Sequence, residues 1–166
     1  GHRAGNLAPD PPRGRRLTVS ATGVRRKGRE AALQLLYQID FSADASPGAF
    51  DEFWRSRGGR EHPERPFAEA LVRNVLDRRA EIDQLIDSAA DNWQLDRIAR
   101  MDLNVLRIGV AEMTGADPLP PEIVMDEAVE IARKYCDSGA PAFVNGILDR
   151  VARDLRREES RPREER

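Results

Sequence analysis

Four basic side chains are crowded into five residues, just before a strongly periodic apolar segment: Arg25, Arg26, Lys27 and Arg29. Cationic groups at this density are typical of surfaces that bind phosphate. If the cluster opens a helix, its cations oppose the helix dipole, and phosphate placed there would meet both the cations and free backbone N–H groups. The cluster therefore predicts a nucleic-acid contact where the first helix begins. A solvated basic segment that aids solubility is the alternative.

The net charge is distributed unevenly along the chain. Residues 1–30 hold eight basic and two acidic side chains, which give this segment a net charge of +6. The whole chain has a net charge of −2, so the other 136 residues carry −8. A basic segment joined to an acidic body suggests that a polyanion binds at one end and a basic partner elsewhere.

Two aromatic side chains could supply the other half of an RNA site, because unpaired bases stack on ring faces. Tyr37 follows Arg29 by eight residues, which places the two near the same side of a helix. Phe143 is predicted to begin the last helix, after a flexible loop at residues 138–141. Packing into the core is the alternative for both rings.

Catalytic and metal-binding patterns are absent from the sequence. The two histidines, His2 and His62, have no neighbours at a zinc-ligand spacing. No nucleophile elbow, phosphate-binding loop or dinucleotide fingerprint is found. Cys136 is followed by Asp137, and an adjacent carboxylate does not favour a thiolate. We therefore expect a protein that is not an enzyme and has no catalytic residues, metal site or cofactor. An RNA-modifying enzyme would need a catalytic centre that this sequence lacks.

The composition indicates a soluble cytoplasmic protein without a membrane-spanning segment. No apolar run approaches the roughly 18–20 residues needed to cross a bilayer. One cysteine cannot form an internal disulfide, which fits a reducing compartment.

Apolar spacing of three and four residues predicts an all-α fold of about six to seven helices in two packed groups. The segment 98–113 is apolar on most sides, which is typical of a helix in the middle of a bundle. We divide the chain into a disordered basic extension at residues 1–23, a helical RNA-binding domain at 24–157 and a charged, frayed tail at 158–166.

Four blocks of the sequence resemble the NusB family of bacterial transcription antitermination factors. They are RRKGREAALQLLYQID, RIARMDLNVLRIGVAEM, PPEIVMDEAVEIARKY and, most specifically, FVNGILDRV. The blocks occur in family order and cover about Arg25 to Arg156. The resemblance implies a fold of two perpendicular three-helix bundles.

The resemblance also implies a function. Members of the family bind the boxA element, a single-stranded RNA, in nascent transcripts of ribosomal RNA operons. They do so together with NusE, a small-subunit ribosomal protein, within an antitermination complex that lets RNA polymerase read through terminators. Self-association as a homodimeric protein–protein module, or an accessory role in ribosomal RNA maturation, is the alternative. No membrane partner is expected.

The family's functional positions can be carried over to matching residues of this chain. Asp102 and Tyr37 correspond to the partner surface. Asn145 and Gly146 form the structural motif, in which the glycine suggests a close approach of another backbone and the asparagine is expected to hold the fold, with contact to RNA as the alternative. Asp126 stands where the family often has asparagine, and Gly139 stands where relatives have a polar or acidic residue. The RNA-binding positions implied are Arg25, Arg26, Lys27, Arg29, Tyr37 and Phe143.

Overall fold

The structure, a computed structural model, describes the backbone of residues 13–91 and 94–163, and the side chains in these ranges from residue 23 onward. Seven α-helices and one short 3-10 turn, but no strand, occur in these ranges, so the predicted all-α fold is confirmed. None of the helices described combines the length and the apolarity needed to cross a bilayer. The helices are α1 Arg13–Ser42, α2 Pro47–Ser56, α3 Arg65–Asp77, α4 Arg79–Ala89, α5 Arg100–Thr114, α6 Pro121–Tyr135 and α7 Ala140–Ser160, and the 3-10 turn is Leu95–Arg97.

The first helix starts well before the predicted boundary. Its backbone is helical from Arg13, whereas the sequence predicts a disordered extension up to residue 23. Pro12 is the last proline before this helix, and the arginine, leucine and alanine residues that follow favour helix. The rest of the predicted extension, residues 1–12, lies outside the described residues. At the other end, α7 continues to Ser160 and so includes the first three residues of the predicted tail.

Two groups of helices share one core. In the first group, α1 packs along α3, and α2 contributes the buried aromatic side chains Phe50 and Trp54. Ser46 caps α2, because its hydroxyl accepts a hydrogen bond from the N–H of Ala49 at 3.2 Å. In the second group, α6 and α7 pack against each other and against α5, and α4 lies against α5 and α7.

The helix α5 joins the two groups, as its sequence predicted. Every residue from Leu103 to Ala111 is buried, because α5 contacts α1 and α3 on one side and α4, α6 and α7 on the other. Gly109 allows the closest of these approaches, since a Cβ atom there would lie 2.9 Å from Cδ2 of Leu148.

A chain of polar contacts crosses the buried junction between α4, α5 and α1. Arg107 donates to both carboxylate oxygens of Asp83 at 2.8 and 3.0 Å, and to the Asn104 side-chain oxygen at 3.2 Å. Asn104 in turn donates to Asp40 at 2.8 Å. The side chain of Arg107 is only 5% exposed, so these partners must compensate for the loss of water around its positive charge. The network therefore fixes three helices relative to one another.

We predict that Arg107→Ala lowers the free energy of unfolding by about 3–5 kcal/mol, because Asp83 and Asn104 lose a buried partner. Arg55→Ala is the matched control, since Arg55 forms an exposed pair with Glu52 and should contribute less than about 1 kcal/mol. Urea denaturation of the two variants measures the difference. Equal losses of stability would show that the buried network does not hold the helices.

Candidate nucleic-acid interface

The helix distributes the basic cluster around its circumference. Successive residues are turned by about 100° along an α-helix, so neighbours in sequence face different surroundings. Arg26 and Lys27 are exposed, whereas Arg29 is buried. Arg25 is exposed but lines a groove of about 260 Å³ that includes Phe67 and other residues of α3 and α5, on another side of α1. Arg26 and Lys27 are exposed outside the groove that Arg25 lines, and these two adjacent residues are together called the cationic face.

Arg29 is part of the core. Its guanidinium donates to both carboxylate oxygens of Glu112, at 2.7 and 2.9 Å, and lies 3.8 Å from Glu127. It also sits over the ring of Phe67, 5.5 Å from the centroid. Its side chain is 6% exposed. This burial contradicts the expectation that Arg29 contacts RNA directly; instead it ties α1 to α3, α5 and α6.

The predicted conflict between the cluster and the helix dipole does not exist. Arg25 is the thirteenth residue of α1, and dipole effects fade within the first turn. The cluster also lacks the free N–H groups of a helix start, because such groups belong to the first four residues. Phosphate binding there depends on side chains alone.

The two exposed cations differ in their surroundings. Arg26 donates to Glu127 through Nη2 at 3.0 Å and Nε at 3.3 Å, and this carboxylate raises the pKa of Arg26. About half of the Arg26 side chain is still exposed. Lys27 has no ion pair with any residue described by the structure. The cationic face is therefore open to solvent, although Glu127 would compete with a phosphate group for Arg26.

Tyr37 lies on the same side of α1 as Arg26, not Arg29. Eleven residues separate Tyr37 from Arg26, which corresponds to about three turns and about 16 Å along the axis. The Tyr37 ring is 39% exposed and meets Phe41 edge-to-face with centroids 4.8 Å apart. Phe41, 71% exposed, was not predicted as a functional residue. Its exposure could not be read from the sequence, because Phe41 follows the apolar stripe of α1 and the described residues leave most of its ring uncovered.

Phe143 lies on α7 and is not among the residues that line the groove beside Arg26. The last helix begins at Ala140, so Phe143 is its fourth residue and the predicted loop at 138–141 is too long by two residues. The ring is half-buried and packs against the core. Phe143 does not line the groove that contains Arg26. Stacking of a base on Phe143 would therefore occur at a different place on the surface.

A groove of about 970 Å³ runs beside the exposed cations, between α1, α6 and α7. It brings Arg26 of the basic cluster together with Asp126 and with Asn145 of the structural motif. Sequence reasoning did not predict this juxtaposition, which arises where α6 and α7 pack together beside α1. The groove is lined by Arg26, Asp126, Glu127, Val129, Glu130, Arg133, Cys136, Asp137, Ser138, Pro141, Ala142 and Asn145.

The structural interpretation of Asn145 and Gly146 is wrong. Both residues are exposed, and a Cβ atom on Gly146 would meet nothing within 4 Å. The close approaches occur at Gly109 and at Gly28, where a Cβ atom would lie 2.4 Å from the Phe67 ring. Asn145 has no side-chain hydrogen bond within the described residues. Neither residue of the motif is explained by packing.

Asp102 is half-buried in the first turn of α5, and its carboxylate acts on the thiol of Cys136. Burial and this carboxylate raise the pKa of Cys136 to about 12, so the thiol stays protonated near neutral pH. The described residues contain no group of histidine, cysteine or acidic side chains that could hold a metal ion.

These features define a class of protein: an all-α protein whose first helix presents an exposed cationic face beside a groove. Comparison with known families is more specific, because the sequence model of the NusB family matches residues 26–153. The chain belongs to the NusB family.

Close relatives support this assignment. A protein named transcription antitermination protein NusB from Anaeromyxobacter dehalogenans strain 2CP-1 is 43% identical over 134 residues, which cover 81% of this chain and 94% of the relative. A protein of the same name from Myxococcus xanthus is 41% identical over 133 residues, covering 78% of this chain and 95% of the relative.

Solved structures show the same fold. The solution structure of NusB from Aquifex aeolicus superposes with a TM-score of 0.73 at 26% identity, covering 84% of this chain and 95% of that protein. A chain from the crystal structure of antitermination factors NusB and NusE in complex with double-stranded RNA gives a TM-score of 0.70 at 27% identity, covering 79% of this chain and 97% of its own length.

We predict opposite effects on stability for replacing a tightly packed glycine, Gly28, and an exposed one, Gly146. Gly28→Ala should destabilise the fold by about 1–3 kcal/mol, because the Phe67 ring must move. Gly146→Ala should stabilise it by up to about 1 kcal/mol, because alanine favours helix and the space is open. Thermal unfolding of both variants measures the sign. A destabilised Gly146→Ala variant would show that this glycine has a packing role after all.

Proposed function

We propose that this protein is a transcription antitermination factor that binds boxA-type single-stranded RNA of nascent transcripts together with a NusE-type ribosomal protein. In the cytoplasm, this pair would join the RNA polymerase antitermination complex and promote read-through of terminators in ribosomal RNA operons. The observation that carries the proposal is the exposed pair Arg26–Lys27 on the first helix of a NusB-family fold. The names of the relatives and the NusB–NusE complex with RNA support it.

The RNA backbone would lie along the outer face of α1. Lys27 offers an unpaired ammonium group, and Arg26 would exchange Glu127 for a phosphate oxygen. Glu127 would keep a cationic neighbour after this exchange, because Arg29 is 3.8 Å away. Tyr37, about 16 Å further along the same face, would stack on a base. Phe143, outside the groove beside Arg26, would stack on a second base.

The NusE-type partner would bind near the carboxyl end of α1. Tyr37 and Phe41 form an exposed aromatic pair there, and exposed aromatic rings are enriched in protein interfaces. Asp102 would supply a carboxylate to this basic partner, which agrees with the net charge of −8 outside residues 1–30. The same aromatic pair makes a homodimer the second candidate, since a second copy could cover it.

We propose that the protein acts by binding and not by catalysis. The chain has one thiol, Cys136, and its pKa of about 12 leaves it protonated and unreactive at neutral pH. The exposed cations and rings are groups that bind nucleic acid without changing it.

The partner is tested by titrating a boxA-type ribosomal leader RNA with the full chain, in the presence and absence of the NusE-type ribosomal protein. The partner should tighten binding, because the RNA then contacts two proteins at once. Phe41→Ser should remove this gain without changing RNA binding by the chain alone. Binding that is equally tight with and without the partner would contradict the proposal. A dimer whose mass does not respond to RNA or to NusE would favour the second candidate.

The cationic face is tested by the salt dependence of RNA binding. Arg26→Ala combined with Lys27→Ala should weaken binding and reduce the slope of log K against log salt by about 1.4, because two phosphate contacts to a single strand are lost. Arg153→Ala combined with Arg156→Ala removes the same charge from α7 and serves as the matched control. Equal slopes for the two double variants would exclude Arg26 and Lys27 from the RNA site.

A further inference from the structure

The groove beside α1 is poorly suited to a phosphate group. Of its two cations, Arg133 is paired with Glu130 at 2.6 Å, and Arg26, which also belongs to the cationic face of α1, can bind a phosphate only by leaving Glu127 at 3.0 Å. An entering phosphate would meet more carboxylates than unpaired cations. The amino groups of nucleotide bases are donors, however, and side-chain carboxylate and amide oxygens accept them. The acidic residues that line the groove are Asp126, Glu127, Glu130 and Asp137.

Asn145 offers a matched pair of hydrogen-bonding groups to this groove. Its side chain is exposed, lines the groove and forms no hydrogen bond within the described residues. An amide presents one acceptor and two donors in a plane. This arrangement matches adenine, whose N6 amino group donates and whose N7 accepts, and asparagine is a common bidentate partner of that base.

The residues around Asn145 leave room for a flat ring. Ala142, one turn earlier, is small and also lines the groove, and Gly146 follows with open space where a side chain would be. Glycine is unfavourable within a helix compared with alanine, and nothing in the described part of the chain occupies the space beside it. A group from outside the protein that approaches the helix closely would account for this glycine.

We propose that Asn145 recognises an unpaired adenine of the bound RNA through N6 and N7, with Ala142 and Gly146 making room for the base. The phosphate of the same strand would lie on Arg26 and Lys27, so the groove would receive the base while the cationic face holds the backbone. This inference rests on the proposed RNA-binding function. It assigns a specificity-determining role to Asn145, for which the sequence pattern favours a role in the fold and leaves contact with RNA as the alternative.

The test measures binding of oligoadenylate of about ten nucleotides, a length within the usual range of single-strand sites, to the full chain. Replacement of adenine by 7-deazaadenine, which lacks N7, should weaken binding to the unaltered protein by about tenfold. Asn145→Ala should bind both oligonucleotides equally, at the weaker level. Gln84→Ala, which removes an exposed amide from α4, should keep the tenfold difference.

Gly146→Ala supplies an independent measurement. Its added methyl group should weaken oligoadenylate binding by about fivefold, the equivalent of roughly 1 kcal/mol, without lowering the melting temperature. Retention of the tenfold difference by Asn145→Ala would overturn the inference, as would the absence of any difference in the unaltered protein. In both cases, binding of boxA-type RNA by the unaltered chain would leave the proposed function intact. A failure to bind boxA-type RNA with NusE present would reject the function itself.

Discussion

The buried ion pair between Arg29 and Glu112 sets the rotation of α1, and the exposed surface of the protein depends on that rotation. A guanidinium removed from water is tolerated only where carboxylates face it, and Glu112 and Glu127 do so from α5 and α6. Once Arg29 points inward, the geometry of the helix turns Arg26 and Lys27 outward and places Arg25 on another side. The ion pair thus selects which members of the basic cluster can meet a ligand.

Close packing around Arg29 strengthens this selection. Gly28 allows the Phe67 ring of α3 to lie against α1, and the same ring lies beneath the guanidinium of Arg29. A second buried network, from Asp83 through Arg107 and Asn104 to Asp40, holds the other end of α1 against α5. Polar networks of this kind specify one arrangement of helices, because any other arrangement would leave charged groups buried without partners.

The surface that results has separate parts with different chemistry. The outer face of α1 carries cations near its middle and an aromatic pair near its end, while the adjoining groove is lined mainly by acidic and small residues. Cations attract the backbone of a nucleic acid from a distance, whereas neutral amides and rings contact individual bases. The cations on α1 can therefore attract the backbone while the adjoining groove contacts the bases. This separation also explains how a chain with a net charge of −2 can bind a polyanion.

The helical fold, the central position of α5 and the family can be predicted from the sequence, because they follow from apolar periodicity and from motifs that are local in the chain. The sequence could not determine the direction of each basic side chain, since Glu112 and Glu127, which hold Arg29 inward, lie on helices far along the chain. It also misplaced Asn145 and Gly146, whose exposure depends on how α7 packs against α6 and not on the residues beside them. Which cations are buried and which residues form the groove depends on how the helices pack, because side chains far apart in sequence provide the partners and the walls.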